Sequence, residues 1–172
     1  MDVNSNTDSK KLRRAPADED AIARFLGNLL GCEVRVFPAQ EEEFSVAGAV
    51  VAAYVDGGGR LEALCICDVS GAAGLALAAS IVNSTQLEAA IKRQRIDGVL
   101  RERLYTVCEF MGSLFVASQT TENGNRLALR DLTDFSESPA DVKALLDSHS
   151  KRVDIVISVS GNDSGHLALL TR

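Results

Sequence analysis

Asp97–Ala117, DGVLRERLYTVCEFMGSLFVA, is the stretch from which the rest of the chain is read. At about 100° per residue, Leu100, Leu104, Val107, Cys108, Met111, Leu114 and Phe115 fall in one broad apolar sector, while Glu102, Thr106, Glu109 and Ser113 fall opposite. The spacing predicts a core helix ending near Ser118 with a polar outer ridge. Such a ridge is by default a solvated face. Its two carboxylates, seven residues apart, stand about 10 Å from each other along the axis, too far to share a proton.

Outward from that helix, toward the N-terminus, Gln86 to Arg95 reads as a short exposed helix rich in Lys and Arg, set off by the break Asn83-Ser84-Thr85. Ser70–Val82, SGAAGLALAASIV, is small and apolar almost all round. It predicts a buried helix capped by Asp68 or Ser70, with Gly71 and Gly74 admitting a neighbouring backbone. Val46–Val55 and Leu61–Cys67 flank Asp56-Gly57-Gly58-Gly59-Arg60, a hairpin with a glycine turn. The glycines are no phosphate cradle, because neither the Lys-Ser/Thr of a P-loop nor a strand–helix setting follows them. Val34 and Val36 alternate in a short strand that Pro38 ends. Ile22, Phe25, Leu26, Leu29 and Leu30 mark a first helix over about 17–30, opened by Asp18, Glu19 and Asp20 and closed by Gly31. Residues 1–15, with Lys10, Lys11, Arg13 and Arg14, read as a flexible arm before a single domain over 16–172.

Toward the C-terminus, the loop Gln119–Asn125 leads into an alternating strand from Arg126 to Leu132. Ser138-Pro139 then introduces a short helix marked by Val142, Leu145 and Leu146. Val153–Val159 and His166–Leu170 make a last hairpin around Gly161-Asn162-Asp163-Ser164-Gly165. Each half thus holds a helix, a strand and a hairpin closed by a glycine-bearing loop, a quasi-repeat in the order of elements. The expected fold is an α/β sandwich: a mostly antiparallel extended sheet of about six strands with helices on one face.

Composition excludes several classes. A chain of 172 residues with net charge −6 lacks the concentrated basic surface of a nucleic-acid binder. The longest apolar runs, Val46–Val55 and Val69–Val82, fall short of the roughly 20 residues that cross a bilayer. No apolar signal segment opens the chain, so a cytoplasmic protein with reduced thiols is expected.

The order of elements, the apolar segment after the second strand pair and the long mid-chain helix resemble the CheC/CheX-type chemotaxis phosphatases, whose relatives include domains of the flagellar switch. The likeness covers residues 18–172. Active members carry Glu-x-x-Asn on the corresponding helix: the acid anchors to a response regulator and the amide orients a water against its aspartyl phosphate. Matching Gly112-Ser113-Leu114-Phe115 to the small-residue end of that helix puts Glu109 at the amide's position. Thr106 then stands at the acid's position, with Glu102 one turn before. The other register makes Glu109 the acid and leaves Gly112 where the amide should be. The Glu–Asn pair is absent in both.

A carboxylate in the amide's place would repel the phosphoryl oxygens by about 1–4 kcal/mol at 4 Å, for effective dielectrics of 80 to 20. The resemblance therefore implies a catalytically degenerate domain that binds a signalling protein, such as a response-regulator receiver, through the outer face of the central helix. Two further readings stay open. One is an aspartyl-phosphate phosphatase with a rearranged site of Glu109, Thr106 and Glu102, beside Ser113. The other is an oligomeric structural subunit. Free sheet edges also make a homodimer an expectation.

Nothing else in the chain marks chemistry. Cys65 and Cys67 share one strand face as half a metal site without a second pair, and Cys32 and Cys108 are isolated, so core cysteines are expected. His149 and His166 lie after a helix and at the start of a strand, without ligand spacing. No G-x-S-x-G elbow occurs. No metal and no cofactor are expected.

Overall fold

Three runs, VVAAYV, LEALCIC and GHLALLT, are apolar at nearly every position, not at every second one. Strands of that composition bury both faces, and these three lie side by side in the interior of the sheet. The computed structural model describes residues 14–41, 44–79, 84–117, 126–161 and 165–172. Along the chain run β1 (Arg14–Pro16), α1 (Glu19–Leu30), β2 (Val34–Pro38), β3 (Val50–Val55), β4 (Leu61–Cys67), α2 (Val69–Ala78) and α3 (Ser84–Arg93). There follow α4 (Gly98–Met111), β5 (Phe115–Ala117), β6 (Ala128–Asp134), α5 (Ala140–Ser148), β7 (Lys151–Val159) and β8 (Gly165–Thr171).

The main sheet has six strands in the order β2-β7-β8-β4-β3-β6, all neighbours antiparallel. This α+β architecture is the expected one. The quasi-repeat takes a form that element order alone does not show. The single strand of each half pairs with the hairpin of the other, β2 with β7 and β6 with β3, while the two hairpins meet at β4 and β8.

On one face, Val50, Ala52, Tyr54, Ala63, Cys65, Cys67, Leu167 and Leu169 meet the buried sides of α1, α2 and α4. The other face is not left open. Val142 and Leu145 of α5, with Phe44 and Phe135, cover Val51, Ala53, Leu64, Ile66, Ala168 and Leu170. The expectation of helices on one face thus holds for all but α5. A second layer is required there, because these strands are as apolar on that side as on the other.

Asp68 caps α2 by accepting a hydrogen bond from the Gly71 N–H at 2.7 Å, and Asp18 caps α1 through the Ala21 N–H at 2.8 Å. Glycine sets how closely α2 lies on the sheet. A Cβ on Gly165 would stand 1.9 Å from the Gly71 nitrogen, and one on Gly71 would stand 2.8 Å from the His166 carbonyl. Gly74 plays no such part, since nothing lies within 4 Å of its would-be Cβ.

The central helix stops at Met111, short of the Ser118 expected. A 3-10 turn, Gly112–Leu114, follows it, and Phe115–Ala117 leave as a strand paired with Arg14–Pro16. Leu114 and Phe115 are buried although they lie beyond the α-helix, so helical periodicity fits them without requiring a helix. That same pairing takes Arg14 and Ala15 out of the expected flexible arm; residues 1–13, like the whole loop 119–125 and the turn residues 162–164, lie outside the described residues. Among the described residues, no helix is long and apolar enough to cross a membrane.

Candidate interaction face on the central helix

α4 is held on its inner side by Leu100, Leu104, Val107, Cys108 and Met111, all buried. Tyr54 of β3 reaches up to it: its hydroxyl donates to the Cys108 carbonyl at 2.9 Å, and its ring tilts against Phe115 at 5.2 Å. At the N-terminal end, Arg101 ties the helix to β6, donating to Asp134 Oδ1 at 2.6 Å and to the Leu132 carbonyl at 2.8 Å. The outer surface is therefore presented by a fixed rod.

Glu102, Thr106, Glu109 and Ser113 all lie exposed on that outer surface, as the periodicity predicts. The two hydroxyls are spent on the backbone: Thr106 Oγ1 donates to the Glu102 carbonyl at 3.2 Å, and Ser113 Oγ to the Phe110 carbonyl at 2.8 Å. Neither carboxylate forms an ion pair with a described residue. No histidine joins them. His149 Nδ1 sits 2.8 Å from the Leu146 carbonyl at the end of α5, and His166 Nδ1 sits 3.4 Å from Asp68 Oδ2 on the sheet.

Three apolar side chains that the periodicity does not single out share this surface. Val99 is 48% exposed, Tyr105 41% and Phe110 43%. Arg126, distant in sequence, lays its guanidinium 5.3 Å from the centre of the Phe110 ring and donates to the Glu109 carbonyl at 2.9 Å. A groove of about 240 Å³ between α3 and α4, lined by Gln86, Ala90, Arg93, Asp97 and Val99, continues the surface past the start of the helix. A helical wheel places Val99 and Phe110 within about 20° of each other on the polar side. That is the signal available in sequence. The Arg126 contact has none.

The amide implied by the family resemblance is not on α4 itself, which contains no Asn or Gln; Gln86 lines the neighbouring groove. The matched helix of the other half, α1, does expose an amide at Asn28, but Phe25 stands three residues before it. Neither α1 nor α4 carries an acid and an amide three residues apart.

The other candidates behave as core. Cys65 and Cys67 point the same way with sulfurs 3.8 Å apart, and both are buried. All four cysteines are free thiols. Among the described residues, no three His, Cys, Asp or Glu side chains converge as metal ligands.

No protein-family model matches this chain, and no curated protein sequence does. Among solved structures it is similar to the FliM middle domain from H. pylori, at 9% identity and a TM-score of 0.45, covering 89% of this chain and 84% of that one. Thermotoga maritima FliY is similar at 12% identity and a TM-score of 0.41, covering 87% and 81%. FliM in the H. pylori FliM–SpeE complex is similar at 7% identity and a TM-score of 0.40, covering 88% and 82%. Likenesses this low assign neither family nor activity.

Proposed function

We propose that this chain is a non-enzymatic docking domain of CheC/CheX-like layout, which binds a signalling protein with a phosphorylatable receiver domain through the outer face of α4. The observation that carries the reading is the make-up of that face. Val99, Tyr105 and Phe110 stand exposed around Glu102, Thr106 and Glu109, and α4 itself carries no side-chain amide to hold a water. Exposed aromatic side chains beside charged ones are what protein interfaces use as anchors. Hydrolysis of an aspartyl phosphate asks for the opposite: a neutral group to position water, and little negative charge near the phosphoryl oxygens. Thr106 and Ser113 supply no nucleophile while their protons are committed to helix carbonyls.

The test is binding of a purified receiver domain, phosphorylated and not, with phosphate release followed in the same samples. Phe110→Ala is expected to weaken binding about tenfold or more, and no phosphate release above the spontaneous rate is expected. Release that disappears in Glu109→Ala would establish the rearranged phosphatase site instead. Large concentration-dependent assemblies without receiver binding would favour the structural-subunit reading.

A further inference from the structure

Charge on α4 is sorted by side. At about 100° per residue, Glu102 and Glu109 stand within about 20° of each other on the crest of the helix. Val99, Arg103 and Phe110 fall within about 40° of one another on one flank. Arg103 is exposed, and neither it nor Arg93 of α3 forms an ion pair with a described residue. Arg93 lines the groove beside Val99 at one end of the flank, and Arg126 lies over the Phe110 ring at the other. From Val99 to Phe110 the helix runs about 16 Å along its axis. Three guanidinium groups thus follow one flank through that length. Asp97, the carboxylate that lines the groove, already lies 3.9 Å from Arg95. The chain carries a net charge of −6, so this cationic row is placed by the fold and not by composition.

Resting on the docking reading of α4, we propose that the docked protein lays an acidic segment along this flank, its carboxylates on Arg93, Arg103 and Arg126 and its apolar side chains on Val99 and Phe110. Arginine suits the task, because its planar fork takes a carboxylate through two parallel N–H bonds. Arg126 commits one N–H to the Glu109 carbonyl and keeps its other donors for a partner. Held by that bond and by the Phe110 ring, the group loses little freedom when the partner arrives.

The crest decides which anion fits. A phosphoryl group of charge about −2 is repelled by Glu102 and Glu109 about twice as strongly as a carboxylate at the same distance. A nucleic acid would lay further phosphates across both. Glu102 and Glu109 therefore oppose the docked acids, where the family resemblance would make an acid the anchor.

Association of a purified receiver domain, phosphorylated and unphosphorylated, is followed by stopped flow at rising salt, with circular dichroism to check the fold of each variant. The wild-type rate is expected to fall as salt rises. In Arg93→Ala/Arg103→Ala/Arg126→Ala the low-salt rate drops at least about tenfold and its salt dependence flattens. Glu102→Gln/Glu109→Gln associates faster than wild type, by about twofold or more. In a Phe110→Ala background, Arg126→Ala weakens binding further, which a guanidinium that only holds the ring would not do. Both forms of the receiver show the same losses. Rates indifferent to salt and to the arginines, slower association in the crest variant, or a loss confined to the phosphorylated form overturns this proposal while the docking reading stands. A wild-type chain that binds neither form overturns the docking reading and this proposal together.

Discussion

Alkaline pH is expected to unfold this protein steeply, because three protons are held in the space between β3, β4 and α4. Burial, with Cys108 beside it, pushes the Tyr54 hydroxyl well above the ordinary 10.0. The contact with Cys65 and then burial push the Cys67 thiol well above 9.0, and burial followed by Cys65 does the same to Cys108. All three are raised in the folded state, so the stability tied to them is fully present below pH 9 and is lost as pH rises, when the unfolded chain releases protons that the folded chain keeps. Each proton contributes a slope of about 1.4 kcal/mol per pH unit, hence about 4 kcal/mol per unit above pH 10 with all three engaged. Integrated from the ordinary values, the loss reaches about 7 kcal/mol by pH 11 while the folded chain holds all three, within the total stability of a domain this size. Urea unfolding at intervals from pH 7 to 11, in the presence of a reductant, measures the slope. Tyr54→Phe should flatten it above pH 10 by about one third, and the tyrosinate signal of Tyr54 should appear together with loss of secondary structure. Stability that stays level to pH 11, or a slope unchanged in Tyr54→Phe, would refute the buried-proton argument.

Arg101→Ala should release α4 from β6. Its ion pair with Asp134 is about one-third exposed on both sides and counts for little. The hydrogen bond to the Leu132 carbonyl brings the total to about 2 kcal/mol, a fall in Tm of about 4–8 °C by thermal scan. Gly165→Ala should cost about 3 kcal/mol or more in chemical denaturation, because the atoms its Cβ meets at 1.9 and 2.2 Å are α2 backbone that cannot turn aside. Gly74→Ala, with open space around it, should instead stabilise by about 0.5–1 kcal/mol through helix propensity alone. The sign of that pair of results checks the α2–β8 contact directly.

Much of this architecture is written in local pattern. The 3.6-residue period of Leu100, Leu104, Val107 and Met111 commits one side of α4 to the core and leaves Glu102, Thr106 and Glu109 outside whatever packs against it. The Asp56–Arg60 turn needs only its glycines and the Asp56 carboxylate, which accepts from the Gly58 and Arg60 N–H groups and is held below the usual carboxylate range chiefly by the Arg60 bond. Both depend on neighbours within a few residues, so composition and spacing suffice. What needed the assembled chain is everything set by partners far apart in sequence. Phe115–Ala117 are a strand only because Arg14–Pro16 arrive beside them, a hundred residues from their own neighbourhood. α5 lies on the second face because β3, β4 and β8 come together apolar on both sides. The exchange of β2 and β6 between the halves and the Arg126 guanidinium on Phe110 follow from the same cause. Periodicity states which side of an element seeks cover, and only the folded chain decides what covers it.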